Sequence, residues 1–180
     1  TLLFNGLPFR RLSLCLLALI FFIPNEANRQ RLVVFDVGQG LSILGVSHTQ
    51  SQGDFSWLYD TGAKYRSGFS LGEAIVAKNI LALTDKTLEL LFVSHSDNDH
   101  AGSLPQLKKA IKIDELISND RALLPNIGCK KGQVLIWQGL TLKVLWPEEE
   151  SAFMSKEQTK QRNDDSCVIK VSDGKHSVLL

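Results

Sequence analysis

Apolar and polar positions alternate in short runs along this chain, and glycine- and aspartate-rich turns separate the runs. Residues 31–35 have a β-branched centre and stop at Asp36, which predicts a first strand. Residues 41–46 predict a returning strand, after a turn in which Gly38 and Gly40 leave backbone N–H groups able to face a ligand. Residues 55–59 predict a third strand that ends at Asp60-Thr61-Gly62. Polar residues therefore collect at the strand ends of a β-meander. Residues 64–70 read as a loop, and 71–83 have helical spacing with Ile75, Ile80 and Leu83 near one side. Residues 88–93 form an apolar run that predicts a buried strand. A short helix follows from Ser103 or Pro105 to about Lys112, then a strand over 113–118 and an irregular stretch over 119–132. Two hairpins close the pattern, 133–137 with 141–146 and 167–171 with 176–180, on either side of a charged loop at 147–161. Strands dominate with helices between them. The class predicted is α+β, with two sheets packed together and covered by helices.

The N-terminal stretch breaks this alternation. Residues 12–23 are apolar apart from Ser13 and Cys15, follow Arg10-Arg11, and end at Pro24. Twelve residues of helix reach only about 18 Å against a hydrocarbon core of about 30 Å. A membrane helix that also includes residues 2–7, a signal-peptide core and a buried helix all remain open. The membrane segment is the reading adopted, because the run lacks a polar face. Arg10 and Arg11 then stay cytoplasmic and the rest of the chain lies outside. The division expected is a membrane segment at 1–24, a linker at 25–31 and a folded domain at 32–180. Both chain ends look cut, so a longer protein is expected.

A length of 180 residues suits one domain. Twenty basic residues nearly cancel nineteen acidic ones, for a net charge of +1, so the chain as a whole carries no basic nucleic-acid signature. Cys15, Cys129 and Cys167 lack metal-binding spacing. Cys129 and Cys167 are open to two readings, a disulfide in an oxidising compartment or two unpaired thiols.

The chemistry concentrates after the apolar run at 88–93, in Ser94-His95-Ser96-Asp97-Asn98-Asp99-His100-Ala101-Gly102. Unpaired burial of such groups costs several kcal/mol each, roughly 2–7 for a neutral polar group and more for a charge. A metal supplies the missing charge, and Asp oxygens with His nitrogens suit zinc, manganese or iron better than calcium. The plain alternative is a turn and helix cap, with Asp99 or Ser103 as the capping residue. The full spacing His-x-Asp-x-Asp-His-x-Gly favours the metal.

That spacing resembles the His-x-His-x-Asp-His motif of the metallo-β-lactamase superfamily, with Asp97 in place of the second histidine. Together with Phe35-Asp36-Val37-Gly38-Gln39-Gly40 and Tyr59-Asp60-Thr61-Gly62 it resembles the C-terminal domain of ComEC-type DNA-uptake channel proteins, over residues 32–180. The resemblance implies an αβ/βα sandwich holding two divalent ions. His95 and Asp97 would bind one ion and Asp99 and His100 the other, with Asp99 and Asp60 as candidate catalytic residues and Asp60 orienting a ligand histidine. Asp36 and Gln39 would reach metal, water or phosphate, and Asn163 and Ser166 would lie at the rim. Two ions about 3.5–4 Å apart can activate a shared water for attack on phosphorus. The carboxylate of Asp97 makes the first site harder, which favours manganese over zinc. The partners implied are DNA, the cytoplasmic membrane, the channel part of the same protein and other competence proteins, with the domain on the outer side. A secreted hydrolase of a small ester or lactam and a non-catalytic DNA-binding or gating module are the rival readings.

The chain departs from the family pattern at Leu41, where a small or acidic residue is usual, and at Ser103, where a second glycine is usual. The family continues past the last strand into Thr-Gly-Asp and a further histidine, so weak metal binding and little hydrolysis are expected of residues 1–180 alone. The isolated His48 and His176 are expected in solvent, Trp57, Trp137 and Trp146 in the core, and Lys108, Lys109 and Lys112 on an exposed helix face.

Overall fold

A computed structural model of the chain describes residues 29–49, 53–84, 87–123, 125–137, 139–148 and 165–180. The expected membrane segment at 1–24, most of the linker and the rim residue Asn163 lie outside them. Among the described residues no helix is long and apolar enough to cross a membrane.

The meander forms as its alternation predicts. Strands β1 (Arg29–Val34), β2 (Ile43–Thr49) and β3 (Gly53–Tyr59) pair antiparallel. A π-helical turn, Gly72–Ala77, runs directly into α1 (Lys78–Leu83) and returns the chain to β4 (Thr87–Val93), which lies parallel to β3. A one-turn helix α2 (Asn98–Ala101) and helix α3 (Leu104–Ala110) make the next crossover to β5 (Lys112–Ser118), parallel to β4. Parallel neighbours need crossovers of this length. A 3-10 turn, Arg121–Leu123, precedes the two-residue edge strand β6 (Ile127–Gly128). The first sheet has the order β1-β2-β3-β4-β5-β6. The second is antiparallel in the order β10-β9-β8-β7, from β7 (Val134–Trp137), β8 (Leu140–Trp146), β9 (Val168–Ser172) and β10 (Ser177–Leu179).

Period-two side-chain placement gives the first sheet two apolar faces. Leu44, Val46, Leu58, Leu91 and Val93 face the helices and cluster with Val76, Ile80, Leu104 and Leu107, and Leu88 at the start of β4 joins the same cluster out of alternation. Ile43, Phe55, Trp57, Tyr59 and Phe92 face the second sheet and meet Leu142, Val144, Ile169 and Val171. The α+β expectation of two packed sheets with a helical cover is met. The close fit of the second layer depends on Gly45, because a Cβ there would sit 2.1 Å from the Trp57 ring of the paired strand.

Several local expectations need correction. Of the three tryptophans only Trp57 is core; Trp137 is 37% exposed and stacks on Phe55, and Trp146 is 40% exposed. Trp137 ends β7, an edge strand with a single neighbour, and Trp146 ends β8 past its last β7 pair, Val134–Lys143, and at both places alternation cannot distinguish a packed face from an open one. Lys112 belongs to β5 and pairs with Asp114 at 2.7 Å, so the helix ends earlier, at Ala110. His48 is exposed but hydrogen-bonded to Asp54. Cys129 and Cys167, both fully buried, are joined by a disulfide with Cα atoms 5.8 Å apart.

Candidate metal centre

The parallel strands β3, β4 and β5 all end on one side of the first sheet, where Asp60, Ser94 and Asn119 follow them. Crevices outside the carboxyl ends of parallel strands are the usual location of sites in such sheets. Asp60 adopts a positive φ of 60°, uncommon for a residue with a side chain but tolerated best by Asn and Asp. Its backbone is held there from both sides: its N–H donates to Phe92 O at 2.9 Å, and its carbonyl accepts the Ser42 hydroxyl at 3.0 Å. The turn aims a fully buried carboxylate at the loop that leaves β4.

Three groups meet that carboxylate. The Ser94 N–H donates to Oδ1 at 2.7 Å, and the Ser94 hydroxyl donates to Oδ2 at 2.8 Å. His100 Nδ1 lies 2.7 Å from Oδ2 and donates to it. Ser94 Oγ is also 2.9 Å from His95 Nδ1, and having given its one proton to Asp60 it accepts from that ring. One carboxylate thus fixes both imidazoles, His100 directly and His95 through one hydroxyl. In the neutral form of each ring these bonds leave the lone pair on Nε2, the nitrogen that stands beside Asp97 or Asp99. The His100 carbonyl is pinned too, by the Thr61 N–H at 2.7 Å and its hydroxyl at 3.0 Å.

The two rings sit with centroids 4.1 Å apart. Asp97 Oδ2 is 3.7 Å from His95 Nε2, and Asp99 Oδ2 is 3.5 Å from His100 Nε2. Burial pushes the Asp60 carboxyl up from its ordinary range, and its hydrogen bonds from His100 and Ser94 pull it back. The bond to Asp60 raises His100 above the usual imidazole range, whereas burial lowers His95 below it.

The structure brings His95, Asp97, Asp99, His100 and Asp60 into one cluster. The Asp36 carboxylate turns back on its own loop to accept the Gly38 N–H at 3.3 Å, and Asp36 and Gln39 are both exposed. The loop itself is close, because a Cβ at Gly40 would stand 2.2 Å from Asp99 O. Ser166 precedes Cys167, whose N–H donates to Ser94 O at 2.9 Å. Ser103 opens α3 without a side-chain cap; its hydroxyl donates instead to Ala63 O at 2.7 Å.

The sequence reading missed Ser94 and Asn119. Ser94 was legible as a polar residue ending an apolar strand. Asn119 carries no motif, yet it is fully buried with neither amide atom hydrogen-bonded among the described residues, one position past the Ser118–Val93 pair.

The donors suit a divalent cation. Two outward imidazole nitrogens each stand beside a half-exposed carboxylate, and the opposite ring nitrogens are hydrogen-bonded inward, as ligating histidines require. They form two pairs: among the described residues no three His, Cys, Asp or Glu side chains gather closely enough to enclose an ion.

Comparison with known proteins agrees with this geometry. The family model of the metallo-beta-lactamase superfamily matches residues 31–126, which span the meander, Asp60 and the whole metal loop. Recombination protein 2 of Haemophilus influenzae is 37% identical over 173 residues, covering 93% of this chain and 20% of that protein. ComE operon protein 3 of Bacillus subtilis is 28% identical over 90% of the chain and 23% of its own length, and competence protein ComA of Neisseria gonorrhoeae 26% identical over 98% and 23%. The chain spans about a fifth of these relatives. Among solved structures, a metallo-beta-lactamase with a HARLDQ motif from Cronobacter sakazakii superposes with a TM-score of 0.53 at 17% identity, over 81% of this chain and 57% of the other, and shows the shared fold. The chain belongs to the metallo-beta-lactamase superfamily, on the branch of the ComEC-type competence proteins.

Proposed function

We propose that this domain is a metal-dependent phosphodiesterase acting on DNA during DNA uptake, as one part of a longer competence protein. The observation that carries the reading is the pair of outward Nε2 atoms at His95 and His100, fixed from behind by Asp60 and Ser94 and flanked by Asp97 and Asp99. His95 and Asp97 would hold one divalent ion and Asp99 and His100 a second. Such ions supply Lewis acidity toward a phosphate oxygen. The chain's own contribution is to hold each ring by its Nδ1, so that Nε2 is the nitrogen offered to an ion, and to keep four donors on one face. Asp99 is the proposed catalytic carboxylate and Asp60 the positioning one. Asp36 and Gln39, exposed on the neighbouring loop, are assigned to substrate contact, and Asn163 and Ser166 to the rim.

The carboxylate at position 97 makes the first ion site harder than a two-imidazole site and favours manganese, with zinc as the alternative. The names of the relatives, which concern recombination and competence, support DNA as the substrate over a small lactam. The buried Cys129–Cys167 disulfide supports an oxidising location, and with the apolar run at 12–23 it supports a domain anchored to the cytoplasmic membrane and facing outward.

The test is incubation of a longer form of the protein, extended past Leu180, with linear DNA and manganese, beside the same form carrying the His95→Ala, Asp97→Ala double substitution. Cleavage by the unsubstituted form alone is expected. Absence of cleavage while the metal is bound would overturn the reading in favour of a DNA-binding or gating module.

A further inference from the structure

Beside the metal loop, residues 64–70 form a small closed turn whose two aromatic side chains belong to neither core cluster. Lys64 and Ser70 bridge its base, the Tyr65 N–H donates to Phe69 O at 2.8 Å, and the Gly68 N–H returns to Tyr65 O at 2.9 Å. The turn holds Tyr65 and Phe69 in solvent, 47% and 52% exposed, with ring centroids 6.1 Å apart and planes tilted by 30°. Two neighbouring aromatics at that exposure on a tied turn mark a contact surface. Arg66, exposed between them, and Lys64 at the base have no carboxylate within 4 Å among the described residues. Lys78 and Glu73 border an open recess of about 350 Å³ that Phe69 also lines, which leaves three cations against one carboxylate around the rings.

This surface is continuous with the candidate centre. The Tyr65 hydroxyl lies 3.8 Å from where a Cβ of Gly38 would stand, and two residues further on the same loop a Cβ at Gly40 would stand 2.2 Å from Asp99 O. We propose that Tyr65 and Phe69 form a stacking platform for the unpaired bases of single-stranded DNA, with Lys64, Arg66 and Lys78 receiving its phosphates. The inference rests on the phosphodiesterase reading for its choice of partner. Aromatic faces accept any base, cations track the backbone, and the tied turn presents both rings without an ordering cost on binding. A duplex hides its base faces and gains nothing from the rings.

The test measures binding of a fluorescent oligothymidylate by anisotropy in EDTA, where no hydrolysis interferes. Replacement of either ring (Tyr65→Ala or Phe69→Ala) is expected to weaken binding roughly 5- to 150-fold. Tyr65→Phe and Phe69→Tyr, which keep an aromatic face, should restore it. Arg66→Gln should lower the slope of log affinity against log salt by about 0.7, one phosphate contact on a single strand. Unchanged binding by the double alanine variant overturns the platform. So does a loss confined to sedimentation with phosphatidylglycerol–phosphatidylethanolamine vesicles, which would make the turn a membrane anchor. Hydrolysis of bis-p-nitrophenyl phosphate by the unsubstituted form extended past Leu180, with manganese, is scored separately. Its absence alongside ring-dependent oligothymidylate binding sinks the phosphodiesterase reading and leaves the platform standing.

Discussion

Asp60 Oδ2 lies 2.7 Å from His100 Nδ1, and the carboxylate that makes this contact is completely buried. All the donors around it require an acceptor at both oxygens. Asp60→Asn keeps the shape but turns an NH2 group toward at least one of them. The expected outcome is a folded protein with metal affinity reduced roughly 10- to 100-fold, measured by calorimetric titration with manganese and zinc.

Ser94 separates the two histidines chemically. Among the described residues its hydroxyl is the one hydrogen-bonded link between Asp60 and the ring of His95, whereas His100 has its own direct bond. Ser94→Ala should therefore release the His95 tautomer while leaving that of His100 in place, and Ser94→Thr should restore it. Nitrogen-15 shifts of the two imidazoles read this without any metal present.

Gly40 has a φ of 130° and faces the Asp99 carbonyl, which a Cβ would approach to 2.2 Å. Gly40→Ala can be accommodated only by moving the metal loop. A destabilisation of about 1–3 kcal/mol in urea unfolding is expected, from backbone strain alone. Amide shift changes should centre on residues 97–100, and a change confined to residues 38–42 would show that the contact is slack.

The Cys129–Cys167 crosslink joins the end of the first sheet to the start of β9, with 38 residues of separation. Closing a loop of this size contributes roughly 3–4 kcal/mol. Native protein should show neither thiol to a maleimide, and Cys167→Ala should lower the melting temperature. Cys167 also donates to Ser94 O and accepts the Tyr59 hydroxyl at 2.6 Å, so broadening of the Ser94 and His95 signals should accompany the loss.

Asp173 in the β9–β10 turn accepts the N–H groups of Lys175 and His176 at 2.8 and 2.6 Å. These bonds hold its carboxyl at about 2, below the ordinary 3.8. A depressed acid stabilises the fold above its unfolded value and loses that contribution as pH falls through the folded one. The Lys175 and His176 amide shifts should stay constant down to pH 3.8 and then titrate with a midpoint of about 2.

The meander, the two hairpins and the metal loop were legible because alternation and turn residues act over a few positions. His95, Asp97, Asp99 and His100 could be marked as candidates from spacing alone, since those four donors lie within one short loop. Asp60 was legible only through a resemblance. Its role comes from a contact spanning 40 residues, which local pattern does not encode. Asn119 illustrates the limit more sharply: an amide after a strand reads as a turn, and only the packing of β5 against β4 shows it to be buried. Trp137 and Trp146 failed for the opposite reason, because β-propensity reports a half-buried surface without saying which half. The Lys112 error was a boundary error of two residues, the usual uncertainty where a helix runs straight into a strand.

The disulfide encloses the β7–β8 hairpin and all of residues 149–164 in one covalent ring. A protease that cuts anywhere inside that ring therefore leaves both halves attached. Such a nick is silent on a non-reducing gel and appears as two fragments only after reduction. The charged connection between the two halves of the second sheet can be cleaved without releasing any strand from the molecule.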